Sequence, residues 1–175
     1  PLFGTTATHA ACLFTAWSDG EAKQFFRNLR QNAKIMSGNR QVARAVASGA
    51  IAFGLTDTDD AIVELEKGFP VAIIFPDQRE GELGTLFIPN TLALVKDSPN
   101  PDTAERLVDY LLSEEVERSL AEGASAQVPL NPKVDQAARI ETPQTIRAMN
   151  VDFERAAANW DRARMFLVEQ FTTTD

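Results

Sequence analysis

Residues 53–60 of this 175-residue chain have the sequence Phe53-Gly54-Leu55-Thr56-Asp57-Thr58-Asp59-Asp60. The apolar run at 50–55 predicts a short buried strand, and residues 59–67 predict the helix that follows it. In open α/β sheets, ligands bind where the carboxyl end of a strand meets the start of a helix. Five polar side chains crowd this corner, more than a single helix cap requires. The segment therefore predicts an α/β fold with a ligand site at the carboxyl edge of its sheet.

A second corner of the same kind opens the chain at Gly4-Thr5-Thr6-Ala7-Thr8. Backbone N–H groups and the macrodipole at a helix start favour an anion, and threonine hydroxyls add donors. An N-cap with β-branched neighbours explains the same residues, so the pattern alone leaves both interpretations open. Two corners of this type predict one shared cleft.

Composition narrows the class of protein. The chain has 25 acidic and 17 basic side chains, a net charge of −8, and its Lys and Arg residues are scattered. This distribution argues against nucleic acid and anionic lipid as partners. No apolar run approaches the roughly 20 residues of a membrane span. The sequence has no nucleophile motif, phosphate loop or zinc spacing, so we expect a binding protein and not an enzyme.

Helices and strands alternate along the first half of the sequence, which predicts a mainly parallel sheet. Asn39 is expected to cap the third helix. The helices of this part are predicted at 6–17, 21–32, 40–48 and 59–67, and the strands at 34–37, 50–55 and 71–75. Beyond it we expect a long extended run at 85–96 and helices at 102–112, 114–120, 144–149 and 152–171.

Three stretches resemble the return segment of solute-binding proteins of bacterial ABC importers, specifically the ferric-iron-binding group. They are Thr85-Leu86-Phe87-Ile88-Pro89-Asn90-Thr91, Pro99-Asn100-Pro101, and residues 104–116. Residues 39–49, 52–57 and 129–132 match the same pattern. The resemblance implies a type II periplasmic-binding-protein fold, an α/β architecture in which hinge closure traps a solute between two lobes.

The resemblance also implies a division of the chain. Residues 1–84 would form the body of lobe two, residues 85–127 the segment that returns to lobe one, and residues 128–175 helices that dock on lobe two. The chain thus looks like a fragment without most of lobe one. Implied with it are a periplasmic or extracytoplasmic location and the membrane subunits of an ABC importer as partners. A strand edge without its sheet partners further predicts self-association of the fragment.

In ferric-binding proteins, the turn that matches Thr6, Ala7 and Thr8 holds a synergistic anion. Asn39 and Thr56 fall on further anion-contacting positions, although an N-cap and a strand terminator explain them equally well. The resemblance therefore implies anion contacts at Thr6, Ala7, Thr8, Asn39 and Thr56, and Thr5 of the same turn joins them in the expected site.

The metal half of the family site differs in this chain. Ferric-binding proteins have adjacent tyrosines where Thr58 and Asp59 stand, and the sole tyrosine, Tyr110, lies inside a predicted helix. Asp57, Thr58 and Asp59 are the candidate metal ligands, because hard cations prefer oxygen. Carboxylates favoured by a helix macrodipole are the simpler interpretation.

The implied solute is Fe³⁺ with a synergistic anion, or an iron–anion complex. One alternative is an organic anion such as a phosphonate, bound without metal. Another is an effector-binding regulatory domain of the same fold in the cytoplasm.

Overall fold

The structure is a computed structural model that describes residues 2–172. The regular elements in this range are eight helices. They are α1 (Gly4–Ala16), α2 (Asp19–Asn32), α3 (Asn39–Ala47), α4 (Thr58–Glu66), α5 (Pro101–Leu111), α6 (Glu114–Glu122), α7 (Phe153–Ala158) and α8 (Trp160–Thr172). Each of them is too short or too polar to span a bilayer.

Local capping explains where two of the helices begin. The hydroxyl of Ser18 accepts from the backbone N–H of Glu21, and the Glu21 carboxylate accepts from the Ser18 N–H at 2.9 Å. This reciprocal pair is a capping box, and it starts α2 two residues before the predicted helix at 21–32. Ser113 accepts from the N–H of Val116 and caps α6, which confirms the predicted start of that helix.

The chain divides into two compact units. Unit 1 comprises Pro1–Ser37, Arg79–Ile88 and Ala148–Asp175, and unit 2 comprises Gly38–Gln78 and Pro89–Arg147. Their boundaries differ from the division into lobes implied by the family resemblance, and the assignment of segments to lobes stays a prediction.

Unit 1 has an aromatic core between α1, α2 and α8. The ring of Phe14 stacks on Phe26 with centroids 5.8 Å apart and meets the edge of Phe166 at the same distance. Arg27 lies over the outer face of the Phe166 ring, 5.4 Å from its centroid. Burying three phenylalanines in mutual contact stabilises this unit through apolar area and through favourable ring geometry.

Two extended segments of unit 1 meet in a β-bridge. Thr85 forms a parallel β-bridge with Ala148, and the N–H of Met149 donates to the Thr85 carbonyl at 2.8 Å. Gly84 precedes the bridge with φ of 89°, and a Cβ there would lie 2.7 Å from the carbonyl carbon of Ala148. The bridge therefore needs a residue without a side chain at position 84.

In unit 2, α3 and α4 pack side by side and run parallel. Arg40 pairs with Asp60, and Arg44 approaches Glu64 at 4.0 Å, so both partners advance by four residues in the same direction. Residues 48–57 must then run back from the end of α3 to the start of α4. A Cβ on Gly54 would overlap Val42 of α3, so this return segment lies against the helix.

The predicted strands at 34–37, 50–55 and 71–75 do not form within residues 2–172. Residues 85–96 contribute the Thr85 bridge and no further ladder in that range. A strand is defined by hydrogen bonds to a neighbouring segment, and an apolar run cannot supply that neighbour itself. The helices of the α/β prediction form, but within residues 2–172 its sheet does not, so the α/β architecture is not confirmed.

Three helix predictions are wrong in detail. Asn39 does not cap α3; Gly38 occupies the N-cap, because the Asn39 side chain bonds elsewhere. Residues 144–149 are not helical, since Thr142 and Thr145 close a single turn on each other. The terminal helix is interrupted at Asn159, whose amide donates to the Thr15 hydroxyl at 3.0 Å.

Candidate functional site

The threonines of the first predicted corner lie in the first turn of α1. The N-cap residue is Phe3, which has no side-chain acceptor for the N–H groups of that turn. Thr6 is exposed and Ala7 is buried, while the Thr8 hydroxyl lies 3.4 Å from the carbonyl of Gly4. A helix start of this kind has backbone donors and the positive end of the macrodipole, and both favour an anion.

The second predicted corner lies in unit 2, at the starts of α3 and α4. The side-chain amide of Asn39 donates to the carboxylate of Asp57, the N-cap residue of α4. The hydroxyl of Thr56 donates to the backbone carbonyl of Asn39 at 2.9 Å. These contacts bring three predicted site residues together and also engage their polar groups in the fold.

Ion pairs continue this contact along the two helices. Arg40 Nε lies 3.3 Å from Asp60 Oδ1. Further along, the buried carboxylate of Glu64 accepts from Lys67 at 2.8 Å, with Arg44 nearby. A buried carboxylate needs such partners, because removing its charge from water is costly. The ion pairs of Arg40 and Arg44 therefore link α3 to α4 and fix the position of one helix along the other.

The acidic residues at the start of α4 have unequal surroundings. Burial raises the pKa of Asp59, and the negative charges of Asp60 and Asp57 raise it further. Within the part of the chain that the structure describes, no three His, Cys, Asp or Glu side chains converge as metal ligands would. The metal site predicted at Asp57, Thr58 and Asp59 stays a prediction.

The two predicted corners fall in different units, Thr5 to Thr8 in unit 1 and Asn39 with Thr56 in unit 2. A single anion site made from both corners also stays a prediction. Tyr110 on α5 is exposed, and His9 is half-buried in α1.

Unit 1 contains a cavity that the sequence does not indicate, because its lining is far apart along the chain. Cys12, one of the lining residues, is buried, and burial raises the pKa of its thiol. A protonated thiol of this kind is a poor nucleophile. The lining residues are Cys12, Thr15, Ala16, Met149, Asn150, Val151, Asp152 and Arg155.

Comparison with solved structures shows which fold these units belong to. The chain superposes on the crystal structure of apo ferric ion-binding protein A of Pasteurella haemolytica with a TM-score of 0.74. The sequences are 22% identical, and the match covers 94% of this chain and 53% of that protein. The chain therefore shares the fold of a ferric ion-binding protein over about half of that protein's length.

Sequence comparisons agree with the structural one. An uncharacterized protein of Haemophilus influenzae is 28% identical over 162 residues, which is 91% of this chain and 45% of that protein. The family model for bacterial extracellular solute-binding proteins matches residues 5–148. This match spans most of the chain and includes Thr5 to Thr8 of the first predicted corner and all of the second. The chain belongs to the bacterial extracellular solute-binding protein family.

Proposed function

We propose that this chain is part of the solute-binding component of a bacterial ABC importer, acting outside the cytoplasm. The family match over residues 5–148 carries the proposal. In this mechanism, solute contacts stabilise a closed state of a two-lobed protein, and the membrane subunits recognise that state. The cytoplasmic regulatory alternative has less support, because the matched family is extracellular.

The solute that we propose is ferric iron held together with an anion. The fold shared with ferric ion-binding protein A supports iron. The start of α1 supports the anion, because the positive end of the helix dipole lies there, Phe3 at the N-cap makes no side-chain hydrogen bond, and Thr6 is exposed. Thr5, Ala7 and Thr8 complete this part of the proposed site.

The proposed metal ligands are Asp57, Thr58 and Asp59. Their oxygen atoms suit a hard cation. Asp57 already accepts from Asn39, and a cation there would share the Asp57 carboxylate with that amide. Burial is the main cause of the raised pKa of Asp59, and the charges of Asp60 and Asp57 add to it; a bound cation would offset both effects.

A metal-free organic anion is the second candidate. The observation that favours it is the absence of three converging metal-ligand side chains within residues 2–172. In this case the α1 turn alone would hold a carboxylate or phosphonate, with Asn39 and Thr56 acting in the fold of unit 2.

Thermal unfolding with matched additives tests the proposal. The protein is heated with ferric citrate, with ferric iron plus phosphate, and with metal-free citrate, phosphate and methylphosphonate. Bound iron is then quantified after desalting. A rise in Tm that requires iron, with retained metal, supports the iron assignment. A rise with the anions alone supports the organic-anion alternative. Unchanged Tm under every condition would contradict a solute site on this chain.

A further inference from the structure

We draw no further inference here: the strongest candidate, the cavity between α1 and residues 149–155 in unit 1, belongs to a chain that spans about half the length of its relatives, and nothing in the structure shows whether a ligand or another part of a longer polypeptide fills it.

Discussion

The side-chain amide of Asn39 donates a hydrogen bond to the carboxylate of Asp57, and this bond joins the starts of two parallel helices. The carbonyl of the same asparagine accepts from the Thr56 hydroxyl at 2.9 Å. The side-chain amide and the backbone carbonyl of Asn39 thus both bond to the segment that leads into α4. A residue that the family resemblance assigns to an anion has a structural role of its own.

Replacing Asn39 with alanine should destabilise unit 2. The half-buried carboxylate of Asp57 loses a donor, which costs about 1.5–3 kcal/mol for a hydrogen bond to a charged group. Chemical denaturation, with hydrogen exchange in α3 and α4, measures the loss. Asn90→Ala is the control, because the Asn90 amide bonds Gln127 on the exposed surface. If the two variants lost the same free energy of unfolding, the bond to Asp57 would stabilise the protein no more than an exposed hydrogen bond does.

Gly84→Ala should disrupt the β-bridge between Thr85 and Ala148 in unit 1. A Cβ at Gly84 meets the backbone of Ala148 and Met149 at 2.7–2.8 Å, and the φ of 89° is strained for alanine. We expect a loss of roughly 2–4 kcal/mol from overlap and strain together. Gly20→Ala is the same substitution in the open surface of α2, and it should gain about 0.5–1 kcal/mol. Urea denaturation of both variants checks the opposite signs.

Asp59→Asn should stabilise the protein at neutral pH. Burial raises the pKa of Asp59 above the ordinary 3.8, so the folded state holds this proton more tightly than the unfolded chain does. Stability is therefore lost as pH rises from 3.8 through the raised value. Because asparagine cannot ionise, the gain in Tm should be present at pH 7 and vanish near pH 3.

Asp60→Asn is the control for the pH experiment. It removes the ion pair between Arg40 and Asp60, so it should lower Tm slightly at pH 7. If Asp59→Asn also lowered Tm at pH 7, the cost assigned to burying its charge would be wrong.

Thr6→Asp should abolish stabilisation by anions. Its carboxylate would satisfy the first turn of α1 and raise intrinsic helix stability by about 0.3–1 kcal/mol. Thr103→Asp makes the same charge change in the first turn of α5, at an exposed position, and serves as the control. Thermal unfolding with and without phosphate should show the phosphate-dependent shift in the control alone. A shift that survives Thr6→Asp would place the anion elsewhere.

Interactions within one helical turn can be predicted from the sequence, as the starts of two helices show. The Ser18–Glu21 capping box and the Ser113 cap of α6 each join residues that are three positions apart. The family resemblance likewise follows from sequence, since residues 5–148 match the family.

Contacts between segments that are far apart in the sequence could be seen only in the tertiary structure. Asn39 does not form the predicted N-cap of α3, because its side chain donates to the carboxylate of Asp57, 18 positions away. The long terminal helix is interrupted where Asn159 bonds Thr15, 144 positions away. Strand-like segments such as 71–75 need a partner that local patterning cannot supply, and which of their residues are exposed is seen only in the tertiary structure. Sequence alone thus determined the family and most of the helices, because capping and helical periodicity depend on residues within about one turn of each other. Tertiary structure decided which polar groups are engaged and which apolar surfaces are uncovered, because both depend on what lies across the fold.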